Sequence, residues 1–125
     1  MKEIYELDVY MLAERISDMM WDDFDKWPLK ARNTIGYQVI QSSDSVSANL
    51  AEGYGRFTAP DRKRFYRYAR GSFGETKAWL RKAIRRRVIA SEKRKEEYKG
   101  LIDELGPKRN AFIKATDRLK EKSKD

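Results

Sequence analysis

Apolar residues recur along this chain at helical spacing, and four stretches carry the pattern. In the first, Val9, Leu12, Ile16, Met19 and Met20 fall at i, i+3, i+4 and i+7 intervals, with acids on the opposite side. That spacing predicts a helix from about Tyr5 to Phe24. Trp27-Pro28 should end it, because a proline pushes the residue before it out of the helical region. Ile35, Val39, Val46 and Leu50 give the stripe of a second helix, from about Pro28 or Leu29 to Glu52. Gly53-Tyr54-Gly55 then offers a glycine for a left-handed cap.

Thr58-Ala59-Pro60-Asp61 reads as the start of a third helix that continues to about Arg86. Thr58 is placed to cap, and Pro60 sits in the first turn, where its missing N–H costs nothing. Ser91 is the expected N-cap of a fourth helix reaching about Leu119. A kink or break is expected at Pro107, whose ring crowds the carbonyl of Asp103. Helices of this length span about 30–45 Å, and short connections make sequential helices antiparallel. The expected fold is all-α, an antiparallel up-down-up-down four-helix bundle. Residues 1–125 then form one domain, frayed at about 1–4 and 121–125, with Leu12, Val39, Val46, Phe65 and Trp79 in the core.

The third helix carries the most information about function. At about 100° per residue from Lys63, the side chains of Lys63, Arg67, Arg70, Gly74, Lys77, Arg81 and Arg85 fall within about 40° of one direction. Phe65, Tyr68, Ser72, Thr76, Trp79 and Ala83 cluster opposite, as a core face. Tyr66, Phe73, Leu80 and Ile84 form a further apolar flank, which a lone chain is expected to leave wet. Such a flank predicts a partner surface, most simply a second copy of the chain, unless the first or fourth helix covers it. The six cations have no acid among them, so their i,i+4 neighbours repel. Arg62, Arg64, Arg86 and Arg87 are expected to thicken the patch at its ends.

Charge along the chain sharpens this reading. The net charge is +8, yet residues 1–55 are net acidic and the positive excess sits in residues 56–87, where Asp61 and Glu75 are the only acids. A segment of this kind binds an anion, very often nucleic acid, or meets an acidic protein surface. Tyr54 and Tyr66 are candidate stacking faces for unpaired bases.

A second set of polar positions, Asn49, Glu52, Gly53, Arg56, Gly71, Ser72 and Glu75, lies on or near stripes expected to face the core. Paired glutamates can serve acid–base chemistry or begin a metal site. The structural reading is the better one here: Arg56 and Arg70 are at hand to satisfy Glu52 and Glu75. Gly53, Gly71, Ser72 and the serines at 42, 43, 45 and 47 would let the second and third helices approach closely. The chain has no cysteine and no histidine, which removes the thiolate nucleophile, the usual neutral-pH base and the commonest metal ligand. No enzyme activity, metal or cofactor is expected. No apolar run is long enough for a membrane span and Met1-Lys2-Glu3 begins no signal pattern, so a cytoplasmic protein without membrane contact is expected.

Two strings of residues carry a more specific signal. The first is Ser47-Ala48-Asn49-Leu50-Ala51-Glu52-Gly53-Tyr54-Gly55-Arg56, and the second is Ala69-Arg70-Gly71-Ser72, followed by Glu75, Lys77 and Trp79. Together they resemble the small four-helix-bundle family encoded in intervening sequences of bacterial 23S ribosomal RNA genes, from about Val9 to Leu119. The resemblance implies the same bundle fold and a homopentamer. Related barrel-shaped bundles assist reverse transcriptases, so it also admits an adaptor docking such an enzyme. Two readings stay open: a module that binds RNA or DNA through the basic stripe, and a ring-shaped scaffold for an acidic protein.

Overall fold

The computed structural model describes residues 2–117, and every regular element among them is helical. A 3₁₀ turn, Ile4–Glu6, leads into helix α1, Asp8–Phe24. The expected single helix from Tyr5 is interrupted because Leu7 is extended, with φ −89° and ψ 135°. Helix α2 has three parts: an α turn Leu29–Ala31, a π turn Arg32–Gly36 and an α segment Tyr37–Tyr54. Helix α3 is Ala59–Arg85 and helix α4 is Glu92–Asp117. The expected fraying at 121–125 lies outside the described residues.

Local chemistry accounts for most of the helix ends. The Thr58 hydroxyl accepts from the Asp61 amide at 3.4 Å, and the Ser91 hydroxyl accepts from the Arg94 amide at 3.2 Å, so both predicted caps form. Helix α4 runs through Pro107 unbroken. Neither Gly53 nor Gly55 makes the left-handed cap: Gly55 has φ −82°, and α2 closes with the Gly55 amide bonded to Ala51.

The left-handed residue is instead Arg87, with φ 61°, just past the end of α3. Its amide donates to the Ile84 carbonyl at 3.0 Å and the Val88 amide to the Ala83 carbonyl at 2.8 Å. These two bonds are a Schellman motif with arginine at the position that glycine usually fills.

Residue pairs across the helices fix how they pack. Glu14 meets Ser47 and Phe24 meets Gly36, so α1 and α2 run in opposite senses. Thr76 bonds Ser42 at 3.0 Å while Tyr66 packs on Gly53, which orders α2 and α3 likewise. Arg109 lies over Phe73 and Phe112 against Tyr66, whereas Asp23 reaches Arg94. Helix α4 therefore closes the bundle against both α3 and α1.

The interior consists of two apolar groups joined end to end. Met20, Trp27, Val39, Leu80 and Tyr98 belong to one, and Val9, Ile16, Leu50, Phe73 and Leu105 to the other. Leu101 and Ile102 pack against both. Of the five expected core residues Val39 and Val46 are buried, whereas Leu12, Phe65 and Trp79 are only half-buried.

The reason is the phase of α3. Its buried residues are Arg62, Tyr66, Ala69, Phe73, Thr76, Leu80 and Ala83, an arc centred near about 250° on the wheel used above rather than opposite the stripe. Helix α3 has two neighbours, α2 on the Thr76 side and α4 on the Phe73 side, and its core arc points between them. The flank expected to stay wet is thus covered by α4. Tyr66, Phe73 and Leu80 lie in the chain's own core and Ile84 is half-buried, so they are not an exposed surface for a second copy.

Candidate nucleic-acid interface

A long helix with one basic face needs packing on its other side to hold it, because a row of like charges weakens an isolated helix. Tyr66, Ala69, Phe73, Thr76, Leu80 and Ala83 supply that packing. They leave Lys63, Arg67, Arg70, Lys77, Arg81 and Arg85 exposed along the outer side of α3. Among the described residues, none of these six makes an ion pair. Lys77 has one contact of note, its ammonium standing 4.9 Å from the centre of the Phe73 ring. Arg70, expected to be drawn to Glu52 or Glu75, pairs with neither.

The stripe does not stop at α3. Arg109 of α4 is buried, lies 5.3 Å from the Phe73 ring centre, and has no carboxylate partner among the described residues. Burial, and then the charge of Arg70, push its guanidinium below its usual range. Further along, a groove of about 350 Å³ separates α3 from α4. Lys77 and Arg81 stand on one side of it, Lys95 and Lys99 on the other, with Glu92 and Glu96 also at its rim and Leu80, Ile84 and Ile102 in its apolar part.

The residues expected to thicken the patch divide. Arg86 and Arg87 are exposed just past the end of α3. Arg64 is exposed and sits 3.4 Å from Asp61. Arg62 is buried: its Nη1 donates to the carbonyls of Phe57 at 3.1 Å and Arg56 at 3.4 Å, tying down the loop before α3. Neither tyrosine proposed for stacking is available as expected. Tyr66 is in the core, and Tyr54 donates its hydroxyl to the Lys2 carbonyl at 2.6 Å while its ring rests on Phe112.

The polar set does not form one cluster. Glu52 and Glu75 are exposed, and Arg56 pairs with Glu52 on the surface at 2.6 Å. Asn49 donates to the Ser45 carbonyl within its own helix, and Ser72 accepts from Thr76 through its carbonyl. Gly53 does permit close approach, since a Cβ there would lie 2.6 Å from the Tyr66 ring. Gly71 does not: it is exposed, with nothing within 4 Å of where its Cβ would be. Ser42, Ser43 and Ser47 are buried and thin α2 as expected.

One buried polar centre was missed. Asp23 accepts from Nε and Nη2 of Arg94 at 2.9 Å and from the Tyr98 hydroxyl at 2.6 Å. Burial and the bond to Asp23 hold the Tyr98 phenol far above its usual range. A signal was present, because Asp23 continues the apolar phase of Ile16, Met19 and Met20. Its partner lies 71 residues away in sequence, with α2 and α3 between. A cavity of about 620 Å³ opens beside this pair and is lined by Trp27, Ile89, Ser91 and Lys93 among others.

Exposed large apolar side chains are found elsewhere than on the flank first expected: Trp21, Leu29 and Tyr37 on α1 and α2, Phe57 in the loop before α3, and Tyr68 on α3. No helix of the described residues is long and apolar enough to cross a membrane. A search of curated proteins found no match. Among known families, residues 5–111 match the model of the 23S rRNA-intervening sequence protein, a stretch that takes in α1, α2, α3 and most of α4. With most of its length matched and an all-helical fold, this chain belongs to the 23S rRNA-intervening sequence protein family.

Proposed function

We propose that the chain is a non-enzymatic nucleic-acid-binding module that holds RNA by its phosphates along the outer face of α3. One observation carries the reading: six exposed cations on one helix face without an ion pair among the described residues. Like charges at i,i+4 destabilise a helix by about 0.2–0.5 kcal/mol per pair, so the face is disfavoured unless a ligand offsets the repulsion. Phosphates at regular spacing suit a row of flexible cations, and Arg and Lys contacts to them carry no base information. Binding is therefore largely independent of sequence and weakens steeply with salt.

The test is a titration of RNA and DNA oligomers of unrelated sequence at several salt concentrations. The reading requires binding at low salt, similar affinities across sequences, and a linear fall of log affinity with log salt. No binding at low salt would assign the stripe to an acidic protein surface instead.

A further inference from the structure

Beside the stripe, at the start of α3, the aromatic side chains are arranged differently from those of the core. Tyr68 is 50% exposed, whereas the other aromatics of α3 are buried or half-buried; Phe57, in the loop before α3, is 47% exposed. Tyr68 stands edge-on to Phe65, with ring centres 5.6 Å apart and planes at 89°. The guanidinium groups of Arg56 and Arg64 lie 4.5 Å and 4.8 Å from the centre of the Phe65 ring. Phe65 is therefore held in place by its neighbours, and it props Tyr68 outward. On the helix wheel Tyr68 follows Arg64 by one turn, and Arg64 stands between it and Arg67 at the edge of the stripe.

Rings next to phosphate-binding cations matter only to a strand whose bases are free. In a duplex both faces of each base are already stacked, whereas an unpaired base presents a π-face that any aromatic side chain can take. Arginines beside the rings add cation–π attraction to the same base. We infer that Tyr68, backed by Phe65 and next to Arg64, is a stacking platform for an unpaired base, and that the stripe therefore takes single-stranded nucleic acid in preference to duplex. This rests on the nucleic-acid reading above and adds the form of the ligand.

The experiment compares a single-stranded oligouridylate with a blunt RNA duplex of equal length, at fixed low salt and then across a salt series. The proteins are the wild-type chain, Tyr68→Ala and Tyr68→Trp. Stacking of one base is worth roughly a 5- to 150-fold change in affinity. Tyr68→Ala should lose that much for the single strand, little for the duplex, and leave the salt slope unchanged, while Tyr68→Trp should keep the affinity. Single-strand affinity that is unchanged in Tyr68→Ala, or affinity lost equally for both ligands, overturns the platform and leaves the stripe standing. Absence of binding by the wild-type protein to either ligand overturns both. Tyr68 lies on the surface, and thermal melts of the two variants matching wild type establish that the fold is intact.

Discussion

The acids of α1 and α2 and the cations of α3 are treated oppositely by the same fold. Glu14 accepts from the hydroxyls of Tyr10, Ser17 and Ser47, at 2.6, 3.4 and 3.2 Å. That contact with Glu14, followed by burial, pushes the Tyr10 phenol up to about 12. Asp23 has Arg94 and Tyr98, and Glu52 has Arg56. At Asp44, burial, then the charges of Glu14 and Asp18, raise the carboxyl above its usual value. The six cations of the stripe have no such partners among the described residues. Glu14, Asp23 and Glu52 thus have partners within the chain, whereas the stripe has no ion pair among the described residues.

Breaking the satisfied side should cost most. Removing one partner of a buried pair leaves the other uncompensated, and because Arg94 keeps Glu97, Asp23→Ala should lose about 3 kcal/mol, the low end for such pairs. Urea denaturation measures this directly. A loss of only a few tenths would mean that the pair is no more than a surface contact.

Two glycines of the family strings, Gly53 and Gly71, probe packing inside the bundle and at its surface. Gly53→Ala drives a methyl into the Tyr66 ring and against Phe65, and overpacking of this kind costs about 1–3 kcal/mol. Gly71→Ala meets nothing and lies inside a helix, so it should gain about 0.5–1 kcal/mol. Equal effects at the two sites would contradict the placement of α3.

Arg87 sharpens the comparison where the stripe ends. A left-handed arginine costs roughly 1–2 kcal/mol relative to a relaxed backbone, and glycine carries no such steric penalty. Arg87→Gly should therefore raise the unfolding free energy by about 1 kcal/mol, since glycine also makes the unfolded chain more flexible. A drop in stability would show that the arginine makes a folding contact beyond its backbone.

Much of this fold could be read from residue spacing. The caps at Thr58 and Ser91, the stop at Trp27-Pro28 and the exposed row of cations all follow from local rules, because each depends on neighbours within one turn or on a single helical face. The phase of α3 did not follow. Its apolar residues spread over nearly half of the wheel, and which arc is buried depends on where α2 and α4 stand. Placing Phe65 and Trp79 on the core face moved Tyr66, Phe73 and Leu80 to a surface they do not occupy. Arg62 was misplaced in the same way, since the carbonyls of Arg56 and Phe57 that hold it come from a loop. The π turn at Arg32–Gly36 leaves the apolar spacing of Ile35 and Val39 unmarked. The bond between Asp23 and Arg94 needs the tertiary fold to bring α1 and α4 together.

The smallest effect on folding belongs to the stripe, and there the central claim is most exposed. Arg81→Gln with Arg85→Gln removes two exposed cations at i,i+4 spacing and should leave stability unchanged or raise it by about 0.2–0.5 kcal/mol. The decisive measurement is the dependence of RNA affinity on salt for this double variant beside wild type. If the outer face of α3 holds phosphates, affinity should fall and the log–log slope should flatten by up to about 0.7–0.9 for each lost contact. An affinity and slope identical to wild type would contradict the account.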